Sequence, residues 1–174
     1  ERVVVGVDPF GGGGDACGIS AAARGGDTAY VLADRTNKLG PDGWGRRVIE
    51  TVLEFEADCI AVERNYGGDM CVSVITNAAR TMGVNVPRFA GKDGKGITST
   101  NAKHLRFGKT TAPMYERGQM VHVGRFPVLE DEITQFTPQG YEGGKSPNCA
   151  DALVFAIEEL FPTNRGSTWA GLYG

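Results

Sequence analysis

Arg2 to Asp8 (RVVVGVD) sets β-branched side chains next to one another with no polar alternation. Such a run predicts a strand buried on both faces, and Pro9 ends it, leaving Asp8 at its carboxyl end. Cys17 to Arg24 and Thr28 to Asp34 are strand-length segments flanking the turn residues Gly25-Gly26-Asp27, so they predict a hairpin that adds antiparallel strands beside the first. From Pro41 the apolar period changes: Trp44, Val48, Ile49, Val52 and Leu53 mark one face of a helix that ends before Ala57. Cys59 to Glu63 (CIAVE) predicts a second buried strand, again with an acid at its carboxyl end. A second helix starts at Gly67-Gly68-Asp69, turns Cys71, Val74, Ile75, Ala78, Ala79 and Met82 inward, and closes at Gly83. Asn85 to Ala90 predicts a third core strand, kept short or at an edge by Pro87.

The second half is less regular. Gly91 to Gly118 is glycine-rich and basic. Met120 to Val123 predicts a short strand, Pro127 to Phe136 an amphipathic helix and Thr137 to Asn148 a loop. A last helix from Cys149 to Phe161 carries Ala150, Leu153, Val154, Ile157 and Phe161 on one face. This order predicts an α/β fold with a mixed central sheet, an antiparallel hairpin and helices on both faces. Residues 1–161 read as one domain and 162–174 as a flexible tail.

Composition agrees with a single core: 174 residues, of which 41% are hydrophobic and 22% charged. No apolar run nears the roughly 18 residues that cross a bilayer, so no membrane association is expected. The opening Glu1-Arg2 and the strand-like run after it do not follow the plan of a signal peptide. Cys17, Cys59, Cys71 and Cys149 are far apart and mostly in apolar segments, which predicts neither a zinc site nor a disulfide framework and points to a reducing cytoplasm. A formal charge of −3 argues against indiscriminate coating of nucleic acid. The charge is nevertheless segregated: between Arg88 and Arg117 seven cations, among them Lys92, Lys95, Lys103, Arg106 and Lys109, meet only Asp93 and Glu116. These five are the candidate DNA-binding residues, and Lys103 and Arg106, three apart, would share a helical face and grip successive phosphates.

Three acids stand where α/β sheets usually place function. Asp8 and Glu63 end two buried strands, and Asp151 falls in the first turn of the last helix. Clustered carboxylates repel unless a hard cation lies between them, and oxygen donors of this kind suit Mg2+ or Mn2+. Two such ions about 4 Å apart can activate a water and stabilise a leaving oxygen in phosphodiester cleavage. Asp15, across the glycine run Gly11 to Gly14, is a candidate fourth ligand. Read singly, each acid has a plainer role: Asp8 as a turn residue, Glu63 paired with Arg64, Asp151 at the positive end of its helix. The glycine run lacks the spacing and following helix of a dinucleotide loop, and Gly144-Lys145-Ser146 follows no strand, so neither marks a nucleotide site. His104 and His122 are isolated and read as structural.

The sequence resembles the nuclease domain of the large terminase subunit of tailed bacteriophages, from about Val3 to Leu160. The resemblance rests on VVVGVDP with Asp8, CIAVERNYGG with Glu63, NAKHLRF with Lys103 and Arg106, FPVLEDEITQFTP at 126–138 and SPNCADALVFAIEEL at 146–160, in that order. It implies a ribonuclease H-like fold and a two-metal endonuclease that cuts concatemeric double-stranded viral DNA during genome packaging in the host cytoplasm. Asp8, Glu63 and Asp151 match the family's acidic triad, and Asp15 lies near a further acid that some members use. The terminase ATPase domain, the portal and the small terminase subunit are the implied partners. Asn148 stands where relatives often carry Asp, which leaves Asp151 as the ligand of that motif. The family's ATPase domain is not in this sequence, as in a fragment or a separately made nuclease.

The acids alone do not separate this reading from a junction-resolving or RNA:DNA-hybrid nuclease of the same fold. A kinase-like ATP-binding domain also starts with a strand, an Asp and a glycine turn, but needs a second such unit. A non-catalytic docking module of a packaging motor is disfavoured by the cost of gathering three acids without a cation.

Overall fold

The computed structural model describes residues 2–9, 16–63, 68–91, 93–94, 96–97 and 103–162, with the backbone alone for Lys103 and His104. Asp15, the glycine run, Lys92, Lys95 and residues 163–174 of the expected tail lie outside the described residues. The elements in order are β1 (Arg2–Asp8), β2 (Gly18–Gly25), β3 (Thr28–Asp34), α1 (Pro41–Glu54), β4 (Cys59–Val62) and α2 (Gly68–Thr81). Then come α3 (Lys103–Arg106), a π-helical turn (Phe107–Thr111), α4 (Ala112–Glu116), β5 (Met120–His122), α5 (Pro127–Thr134), β6 (Phe136–Thr137), β7 (Gly140–Tyr141) and α6 (Asn148–Leu160).

The central sheet has the order β4-β1-β2-β3-β5. β2 is antiparallel to both β1 and β3, while β4 pairs parallel with β1 and β5 parallel with β3. It follows that β1, β3, β4 and β5 all point one way and end at one edge. Alternation along the strands divides two cores. Val5, Val7, Ile60 and Val62 face α1 and α2 with Trp44, Val48, Ile49 and Ile75. Val4, Cys59 and Ala61 face α6 with Leu153, Phe155 and Ile157.

α6 lies closer to the sheet than side chains would allow. A Cβ on Gly6 would overlap the Ala152 carbonyl oxygen, and one on Gly18 would overlap that of Asn148. Glycine at these two strand positions is what lets helix and sheet backbones touch.

Three expectations change. Residues 85–90 form no strand of their own; Phe89 makes an isolated parallel bridge to Ile60, with Pro87 lacking the N–H a longer ladder needs. The basic segment contains a short helical stack, α3, the π turn and α4. The loop after α5 folds into the β6–β7 hairpin, in which Phe136 pairs with Tyr141 and Thr137 with Gly140. No helix among the described residues is long and apolar enough to cross a membrane.

Candidate active site

Asp8 is the last residue of β1 and pairs with Gly18 of β2. Gly18 is the residue under the Asn148 carbonyl, and Gly6, two residues before Asp8, is under the Ala152 carbonyl. The turn of α6 that carries Asp151 is thereby laid over the end of β1. Both carboxylates are buried, each 3% exposed. Glu63 follows the Val7–Val62 pair of the β1–β4 ladder by one step, so it stands next to Asp8 at the same edge. Its N–H donates to the Val7 carbonyl at 3.3 Å, which fixes its backbone there.

The neighbours register this charge. Burial, with Glu63 and then Asp8 adding to it, pushes the Cys71 thiol up to about 11. Burial with Asp8 also raises Cys17. Tyr141 is raised by burial, then by Glu132 and Asp151. The three sequence-predicted acids thus share one edge of the sheet and the start of α6.

Two acids that sequence reasoning did not single out border this edge. Asp34 ends β3, which runs parallel to β1, and its Oδ1 accepts the Thr36 N–H at 3.0 Å. Glu132 of α5 accepts the Ala150 N–H at 2.9 Å. Burial raises Glu132 and Asp34 adds to it, while N–H groups of α6 oppose the rise. The strand-terminal position of Asp34 was an available signal, identical in kind to that of Asp8; Glu132 had none, because its role depends on packing between α5 and α6.

The basic segment does not behave as one unit. Arg106 is 5% exposed, donates to Glu158 of α6 (Nε to Oε1, 3.2 Å, and Nη2 to Oε2) and lies 4.0 Å over the Phe155 ring. This corrects its sequence-based assignment: a guanidinium committed to a carboxylate and an aromatic face holds α3 on α6 and presents nothing to phosphate. Lys109 is exposed on the π turn and lines a cleft of about 390 Å³ with Phe107, Glu116, Phe136 and Pro138. Phe107 and Phe136 stack at 4.2 Å in its wall. Lys103 begins α3. His122 is structural as expected, its Nε2 2.6 Å from Tyr115 Oη and its Nδ1 3.1 Å from Glu130 Oε1.

Hard oxygen donors, two of them buried and adjacent, have the chemistry that suits Mg2+ or Mn2+. Among the described residues no three His, Cys, Asp or Glu side chains stand together closely enough to hold an ion. No family model and no curated protein matches the sequence. Solved structures do match. The human cytomegalovirus terminase nuclease domain, from a manganese-soaked crystal, aligns over 88% of this chain and 80% of its own with a TM-score of 0.64 and 13% identity. The P22 large terminase nuclease domain aligns over 88% and 78% with a TM-score of 0.62 and 12% identity.

The fold is that of the terminase nuclease domains.

The large terminase of a thermophilic bacteriophage adds a longer relative of the terminase-nuclease fold: 91% of this chain aligns with 39% of that protein, at a TM-score of 0.60 and 8% identity. At such identities the likeness is one of fold, and it agrees with the ribonuclease H-like α/β arrangement implied by the sequence motifs.

Proposed function

We propose that this domain is a metal-dependent endonuclease that cuts double-stranded DNA during viral genome packaging in the host cytoplasm. The observation that carries the reading is the juxtaposition of buried Asp8 and Asp151, brought about by backbone contact between α6 and the glycines of β1 and β2, with Glu63 one strand away. Asp8, Glu63 and Asp151 would hold Mg2+ or Mn2+, with Asp15 as a further donor. A pair of such ions supplies an activated water and stabilisation of the leaving oxygen. The chain's own residues do the rest. The sheet edge fixes Asp8 and Glu63 in register, α6 sets Asp151 against them, and the buried surroundings strengthen every charge interaction at that point.

Lys109, together with Lys103, Lys92 and Lys95, would take the phosphates of the duplex. Contacts of this kind position DNA without reading its sequence, so cleavage with little sequence preference follows. The ATPase domain of a terminase, a portal and a small subunit are the partners this reading calls for, since a domain of net charge −3 needs help to hold a polyanion.

The test is nicking and linearisation of supercoiled plasmid in Mn2+ or Mg2+, against EDTA and against Asp8→Asn. Cleavage with either metal, lost in EDTA and in the variant, is expected; cutting by Asp8→Asn with the wild-type metal dependence would sink the assignment. Glu63→Ala and Asp151→Ala should each be as severe, and combining them should add little, because ligands of one site act together.

A further inference from the structure

A helix leaves its first four N–H groups without partners inside the preceding turn unless a cap supplies them. In most helices the N-cap side chain takes one or two of these groups, but the N-cap of α6 is Pro147, whose side chain accepts nothing. The Asn148 N–H donates to the Ser146 carbonyl at 2.9 Å, and the Asp151 N–H to that of Pro147 at 2.8 Å. Of the two amides between them, that of Ala150 turns to α5 and donates to Glu132 Oε2 at 2.9 Å. One side chain, 18 residues upstream of Ala150, therefore supplies the acceptor that Pro147 cannot.

We propose that Glu132 is a positioning residue for the candidate site: by capping α6 from α5 it fixes the turn that presents Asp151 to Asp8. A Ser or Asp at the N-cap position would satisfy these amides locally. Using a partly buried carboxylate near Asp34 instead carries a desolvation cost, which is reasonable only if the cap also ties α5 to α6. The tie has a defined consequence. Without it the first turn loses its tie to α5 at Ala150, next to Asp151, and is held only by the seating of Asn148 on Gly18 and Ala152 on Gly6.

The inference rests on the proposed metal chemistry only for what Asp151 does there; the capping stands apart from it. The experiment uses the full chain with Glu132→Ala, Glu132→Gln and, as a control for local charge, the exposed Asp131→Asn. Two quantities are read: amide hydrogen exchange at Ala150 and Asp151 without metal, and Mn2+ affinity by calorimetry. In Glu132→Ala, exchange should rise and Mn2+ affinity should fall, each by about tenfold, as for loss of a helix cap. Glu132→Gln keeps an acceptor oxygen and should restore most of both, and Asp131→Asn should move neither. Unchanged exchange in Glu132→Ala would overturn the proposal. So would a Glu132→Gln variant that keeps its amide protection but loses Mn2+, because the carboxylate would then be acting as a ligand. If Glu132→Ala does not fold, Glu132→Gln decides on the same two readouts. If the wild type binds no Mn2+, the metal reading fails, and the exchange measurement still decides whether Glu132 holds the turn.

Discussion

The two faces of the sheet are covered in different ways. On one, α1 and α2 interdigitate Trp44, Val48, Ile49 and Ile75 with Val5, Val7, Ile60 and Val62, so helix and sheet are held apart by full-sized side chains. On the other, α6 rests on the backbone at Gly6 and Gly18, and its carbonyls occupy the space where Cβ atoms would be. Interdigitation tolerates a lost methyl group because neighbours relax into the gap. Backbone contact does not tolerate a gained one, because neither chain can move away. The candidate site lies under the intolerant face, where small errors in helix position become errors in carboxylate position.

The largest expected effect separates the faces. Gly18→Val drives a side chain into the Asn148 carbonyl and should cost at least about 4 kcal/mol, most of the stability of a domain at the low end of the ordinary range of about 5–15 kcal/mol. On the other face Ile75→Ala, fully buried, should cost about 3 kcal/mol and leave a folded, weakened protein. Urea denaturation with both variants gives the comparison directly; equal losses would mean that α6 can shift over the sheet.

Within the basic segment, Arg106 and Lys109 should diverge. Arg106→Met keeps hydrocarbon over Phe155 but breaks the pair with Glu158, for a loss of about 2 kcal/mol and no change in the salt dependence of DNA binding. Lys109→Ala should leave stability within about 0.5 kcal/mol and lower the slope of log affinity against log salt by about 0.9. A salt series that reversed these roles would return Arg106 to the DNA-contacting set.

A further effect appears only at alkaline pH. Cys71 keeps its proton to about 11 in the folded domain against 9.0 ordinarily, because of burial and then Glu63 and Asp8. The folded state holds that proton longer than the unfolded chain, so stability is full below pH 9 and falls as pH rises toward 11, at no more than about 1.4 kcal/mol per pH unit from this group. Cys71→Ala should flatten its share of that fall. Cys17 and Cys149, also raised by burial, keep theirs.

Much of this was legible in the sequence where local patterns decide structure. The unbroken run of Arg2 to Asp8, the Gly-Gly-Asp turn and the CIAVE strand each declare themselves, and they bring Asp8 and Glu63 to one edge. Asp151 was legible through its position after Ser146-Pro147. What was hidden is tertiary. Arg106 reads as a surface cation until Glu158 and Phe155, some fifty residues away, close over it. The π turn and the β6–β7 hairpin have no periodicity to announce them, being held by the Phe107–Phe136 stack and by the Phe136–Tyr141 rings 4.8 Å apart. Pro147 at a helix start was a signal in plain view, since a cap that cannot cap requires an acceptor from elsewhere.

The seating of α6 on β1 also sets a timetable. Asp8 and Asp151 are 143 positions apart, joined by contact between the first strand and the last helix. Contacts so distant in sequence are slow to form, since the intervening loop must close before they return anything. A chain emerging from the ribosome has every strand of the central sheet long before it has the helix that completes the acidic edge. The candidate site is consequently the last feature to be completed as the chain is synthesised, and a chain interrupted before Asn148 lacks the helix over this face and has two of the three acids.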